Sequence, residues 1–173
     1  MNRTPSRRRV LAVDVRAQRI GFALFEEESL IDWGGRIVRP EKVPDRERER
    51  IDQFLIEYSP EVLVLRTVRN STQDRQRLTT LIAAAAARLQ IRVESIGSKE
   101  IKRAFAVMHK NKYSAAAAVA ERFPALAPLC PLPRKIWQSE PYRVTVFDAA
   151  ALGLAHIRAR KGSAQSEAET ASE

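Results

Sequence analysis

Residues 9–26 read RVLAVDVRAQRIGFALFE, and this stretch decides the fold. Residues 10–15 form a short apolar run that closes on an acid, Asp14, and is followed by Arg16. A continuous β-branched and aliphatic run of this kind predicts a buried strand. Residues 20–25 form a second apolar run, reached through only four intervening residues. A third candidate strand covers residues 29–38, broken by Gly34 and Gly35. Gaps that short favour antiparallel neighbours, so a three-stranded meander is expected.

Beyond the meander the pattern changes to helices alternating with strands. Pro44 can open a helix, and residues 45–58 set Ile51, Phe54, Leu55 and Tyr58 at helical spacing among charges. Ser59-Pro60 ends it. Residues 61–67, EVLVLRT, are continuous and β-branched and predict a central strand. Asn70, Ser71 and Thr72 can cap a helix over 72–89, which carries five consecutive alanines at 83–87. A fifth strand is expected over 91–96, a short basic helix over 99–109 and an Ala-rich helix over 114–123. Residues 124–142 hold prolines at 124, 128, 131, 133 and 141 and are expected as one long loop. The last helix is expected over 144–160, with the polar remainder, 161–173, as a disordered tail. The expected whole is an α/β domain over 9–160 behind a basic arm, 1–8. Its mixed five-stranded sheet combines an antiparallel three-strand meander with two parallel strands, and helices cover both faces.

Composition narrows the function. The net charge is +9 and the pI near 10.3, the electrostatic footprint of a nucleic-acid binder. Lys99, Lys102, Arg103, Lys110 and Lys112 form a basic cluster opposed locally only by Glu100, suited to phosphate contact. No apolar run reaches the ~18–20 residues a membrane helix needs; on charge alone an anionic membrane surface is the alternative to the favoured nucleic-acid partner, and no membrane partner is expected. The N-terminus makes a poor signal peptide, because the apolar segment after it carries Asp14 and Arg16. One cysteine, Cys130, excludes an internal disulfide and suits a cytoplasmic setting. With two histidines beside it, a Cys/His metal site is excluded as well. His109 and His156 are expected to be structural.

Two acids stand out. Asp14 closes the first strand, and Asp148 lies near the start of the last helix inside VTVFDAAALGL. A carboxylate among apolar residues needs a cation, a donor or a metal. An acid in a helix's first turn also suits the dipole, which would explain Asp148 without chemistry. Taken together and in order, the segments resemble the RuvC and YqgF families of the ribonuclease H-like superfamily. VLAVDVRAQRIGFALFE is similar to their first hairpin, with Asp14 and Gly21 at the matching places and Arg19-Ile20-Gly21 closer to YqgF. EVLVLR is similar to their fourth strand, IRVESIGSKEIKRAF to the fifth strand and its basic helix, and FDAAALGLAHI to the final acidic helix.

The resemblance implies a two-metal nuclease, with carboxylates holding Mg²⁺ or Mn²⁺ ions ~3.5–4 Å apart. RuvC-like members cut branched DNA such as Holliday junctions, as dimers; YqgF-like members act in ribosomal RNA processing. The sequence departs from the pattern at three places. Arg66 stands where the fourth strand should end in an acid, Ala151 where the last helix should carry its second acid, and Arg16 where the first turn usually has glycine. Of the expected catalytic and metal-holding acids, Asp14 and Asp148 are present. Glu94 and Glu140 are the further candidate carboxylate ligands. An arginine brings a permanent charge and a rigid fork of donors. The expectation is therefore an Asp14–Arg66–Asp148 cluster in which a guanidinium replaces a metal ion.

Two readings follow. One is a Mg²⁺-dependent endonuclease on branched DNA. The other is a degenerate module that binds nucleic acid without cutting it, needing no cofactor; a YqgF-like role on ribosomal RNA is a further alternative. DNA is favoured over RNA as partner. Arg16 and Arg19 join the basic cluster as expected nucleic-acid contacts, and the Ala-rich helices are candidates for a homodimer interface.

Overall fold

A computed structural model describes residues 8–40, 42–67, 69–105, 112–132 and 143–170. Three strands open the chain: β1 (Arg9–Val15), β2 (Arg19–Glu26) and β3 (Ser29–Ile37). They form the expected antiparallel meander, with Asp14 opposite Gly21 in the β1–β2 register. Two further strands, β4 (Val62–Arg66) and β5 (Arg92–Ile96), extend the sheet in parallel to β1, giving the order β3-β2-β1-β4-β5.

Strand alternation sorts the core into two layers. Leu11, Val13 and Val15 of β1 and Leu63 and Leu65 of β4 face one side. There they pack against α1 (Pro44–Tyr58) and α2 (Gln73–Arg88) through Ile51, Phe54, Leu55, Leu78 and Ile82. Val10, Ala12, Val62 and Val64 face the other side. They meet α4 (Lys112–Arg122), a short 3-10 helix (Pro124–Leu129) and α5 (Arg143–Thr170) through Val119, Leu126, Val146, Leu152 and Leu154. Each fully buried aliphatic side chain of this kind contributes roughly 1.5–3 kcal/mol. By the same alternation Asp14 and Arg66 belong to the α5 side.

The helices begin where the sequence predicts. Pro44 lies in the first turn of α1, and the Thr72 side chain accepts from the Arg75 amide at the start of α2. α3 (Ser98–Phe105) packs on α5, where Arg158 donates to the Ala104 carbonyl. The remainder of the helix expected over 99–109 lies outside the described residues.

Two expectations change. α5 runs on to Thr170 instead of ending at 160, through most of the segment expected as a disordered tail. Residues 161–170 are rich in Ala, Glu, Gln and Lys, all strong helix formers, so propensity outweighs polarity there. The proline-rich segment opens as the 3-10 helix, since Pro124 fits a first turn. Its residues 133–142, Glu140 included, lie outside the described residues. No helix among the described residues is long and apolar enough to cross a membrane.

Candidate functional site

Gly21 explains how the last helix reaches the first strand. A Cβ on Gly21 would collide with the Thr145 carbonyl, so α5 begins flush against β2. Thr145 lies one turn before Asp148. The approach carries Asp148 across the end of β1, beside Asp14, which pairs with Gly21.

The two aspartates meet through guanidiniums. Arg16 Nε donates to Asp14 Oδ2 at 2.9 Å, and Arg16 Nη2 donates to Asp148 Oδ2 at 2.6 Å. From β4, Arg66 Nε stands 3.5 Å from Asp14 Oδ1 and Arg66 Nη2 3.7 Å from Asp148 Oδ1. From the first turn of α2, Arg75 Nη2 stands 3.6 Å from Asp14 Oδ1. Arg16 and Arg66 thus each span both acids, and all four carboxylate oxygens face a guanidinium. Two carboxylates against three arginines leave the cluster net positive.

Asp14 has a fully buried side chain. Burial pushes its carboxyl above the ordinary value; Arg66 opposes this most, Asp148 adds to it, and Arg16 and Arg75 oppose it further. Burial also lowers Arg75, with Asp14 restoring part of the loss. A guanidinium nonetheless stays charged in proteins. The grip is uneven. Arg16 makes short charge-assisted bonds, whereas Asp14 Oδ1 and Arg66 Nε are buried without a hydrogen bond and interact at longer range.

The residues present do not fit a divalent metal pair. A two-metal site needs several carboxylates free to coordinate. Here both acids are saturated by permanent cations, and a further cation would be repelled by roughly 4 kcal/mol per unit charge at ~4 Å and an effective dielectric of ~20. Among the described residues, no group of three or more His, Cys, Asp or Glu side chains could hold a metal. Glu94, named from the sequence as a spare ligand, is engaged elsewhere: its carboxylate meets Arg92 at 3.1 Å, His156 Nδ1 at 3.2 Å and Arg160 at 3.4 Å.

Of the other residues singled out in the sequence, Lys99, Lys102 and Arg103 are exposed on α3. Lys110 lies outside the described residues, and Lys112 opens α4 with its side chain outside them. Arg19 is exposed at the start of β2 and lines a cavity of about 490 Å³ with Gln18, Arg36, Arg39 and Thr145, the last of these one turn before Asp148. Arg16, expected as a nucleic-acid contact, bridges the two aspartates and keeps about a third of its side chain exposed. Arg75 was not anticipated. Its one signal is position, because a cation in a helix's first turn opposes the dipole and needs an acid to offset it.

A mixed sheet in this order, with the acid of its first strand meeting the acid of its last helix, has the ribonuclease H-like fold. Among solved structures the chain is similar to RuvC of Thermus thermophilus, both in complex with a Holliday junction substrate and alone. The TM-score is 0.63 in each case, with 18% and 20% identity, over 90% and 89% of this chain and 96% of the other. It is also similar to the fowlpox virus Holliday junction resolvase, with a TM-score of 0.58 and 13% identity over 87% of this chain and 99% of that one. At these identities the likeness is one of fold, and the fold is that of RuvC. No protein-family model and no curated protein matches the sequence.

Proposed function

We propose that this protein binds branched DNA through a RuvC-like fold and does so without metal-dependent cleavage. One observation carries the second half: every oxygen of Asp14 and Asp148 is engaged by Arg16, Arg66 or Arg75. The first half is supported by the net charge of +9, by exposed Lys99, Lys102 and Arg103, and by the fold, whose solved examples include complexes with Holliday junction DNA. Lysines and arginines on such a surface neutralise phosphates and give salt-dependent, sequence-independent affinity. The net positive aspartate cluster, one turn along α5 from the Thr145 that lines the Arg19 cavity, adds a place for a backbone phosphate where a nuclease would hold its ions. A four-way junction is two-fold symmetric, so a homodimer suits this reading. The single cysteine suits a cytoplasmic setting.

The test is binding of a labelled four-way junction, against linear duplex, with and without chelator. Junction affinity is expected to be the same in both conditions, with strands intact after incubation with Mg²⁺ or Mn²⁺. The convergence of Asp14 and Asp148 favours one competing reading, a metal-dependent endonuclease. Strand scission that requires Mg²⁺ or Mn²⁺ and disappears in Asp14→Asn would establish that reading in place of ours.

A further inference from the structure

The opposite end of the sheet holds a second polar cavity. From Asp148 to Arg160 the path along α5 is about 18 Å at 1.5 Å per residue, so the two sites are separate. The cavity has a volume of about 280 Å³ and is lined by Arg8, Val10, Glu27, His156, Arg160 and Lys161 among others. Two buried nitrogens of its lining residues have no hydrogen-bond partner, Arg8 Nη2 and His156 Nε2. The His156 side chain is 2% exposed. Its Nδ1 stands 3.2 Å from Glu94 Oε2, which places the proton of a neutral ring on Nδ1 and leaves Nε2 an acceptor. Arg8 Nη2 can only donate. Buried polar groups are normally paired, so two orphans of opposite kind on residues lining one cavity suit an occupant that both accepts and donates, a water or a polar ligand.

The acids around the cavity already have partners. Lys161 pairs with Glu28, Arg160 with Glu94 at 3.4 Å, and Glu27 accepts from the Arg8 amide at 3.3 Å. Arg8, Arg160 and Lys161 outweigh Glu27 and Glu28 in the lining, so a cation is disfavoured there even with His156 Nε2 and the carboxylates at hand.

We propose that this cavity binds a small oxyanion bearing a hydroxyl, that is, hydrogen phosphate or the singly protonated phosphate of a phosphomonoester. Its bare oxygens accept from Arg8 Nη2, with Arg160 and Lys161 at the mouth adding favourable charge. Its P–OH donates to His156 Nε2. Sulfate has the same shape and charge but no hydroxyl near neutral pH, so it can satisfy Arg8 and not His156. The proposal does not rest on the nucleic-acid reading.

The experiment is a titration of the full chain with inorganic phosphate, read on the His156 imidazole resonances and assigned with His156→Gln. Phosphate is expected to shift them to saturation. Sulfate at matched ionic strength is expected to bind about ten-fold more weakly, the effect of one hydrogen bond to a charged group. Arg8→Gln, a change at the partly exposed start of the sheet, is expected to weaken phosphate by a similar factor while circular dichroism stays unchanged. A nucleoside 5′-monophosphate near pH ~6, where its second proton is half bound, separates the sources: tighter binding than phosphate marks a phosphomonoester, weaker binding the free ion. No saturable shift, an equal response to sulfate, or full affinity in Arg8→Gln would each overturn the proposal.

Discussion

Arg16 and Asp148, 132 residues apart in the chain, meet at 2.6 Å across the end of the sheet. Arg16 holds Asp14 with the same guanidinium at 2.9 Å. The contact joins the turn after the first strand to the last helix, so it should be legible in stability. A double-mutant cycle on Arg16→Ala and Asp148→Ala, followed by urea unfolding, is expected to give a coupling of about 1–3 kcal/mol. A coupling near zero would mean that the ion pair adds nothing to the apolar packing of α5 on the sheet.

Removing the outer acid should strengthen binding to a polyanion. Asp148→Asn keeps the shape of the side chain and raises the positive charge of the cluster by one. Junction affinity is expected to rise, and the slope of log K against log salt to steepen by up to about 1. In a metal-dependent nuclease the same change would instead abolish cleavage, so fluorescence anisotropy across a salt series separates the two behaviours.

The acid site should be recoverable by reversing the three departures. Arg16→Gly, Arg66→Glu and Ala151→Asp together remove two guanidiniums and add two carboxylates next to Asp14 and Asp148. Calorimetric titration with Mn²⁺ is expected to show binding in the triple variant and none in the parent. Binding of equal strength in both would refute the electrostatic exclusion argued from Arg16 and Arg66.

His156 gives the fold an acid-sensitive point. Burial pushes its imidazole below the ordinary value, Glu94 pulls it back, and Arg160, Arg8 and Arg92 lower it further. The unfolded chain then takes up the proton first, at about pH 6.5. Stability is full above that pH and declines as pH falls toward the folded value. Thermal melts between about pH 7.5 and 5 in phosphate-free buffer are expected to show this loss. The His156→Gln variant should show a shallower one.

Much of the site was legible because strands alternate. Asp14 shares a side with Val10 and Ala12, and Arg66 with Val62 and Val64, so two apolar runs already aimed both residues at the same layer. Asp148 followed from an acid inside an apolar helix. Arg75 was hidden because helical spacing says which face a residue takes, not how far a long side chain reaches past its own helix end. The pairing of Arg16 with both acids was not legible, because only the approach of α5 supplies the second acid, Asp148. Glu94 shares a strand face with Ile96, yet it pairs with His156 and Arg160, more than two turns beyond Asp148. That offset along α5 takes it out of the acid site.

The five side chains of the acid cluster are not equally open to water. Asp14 is sealed, Arg75, Arg66 and Asp148 are mostly covered, and Arg16 is the most exposed at 32%. Close contact at Gly21 sets the start of α5 against the sheet, and Arg16 is the outermost cation of the cluster. On the proposed reading an arriving phosphate would meet Arg16 first, and drawing it off Asp148 would expose the deeper charges of the cluster.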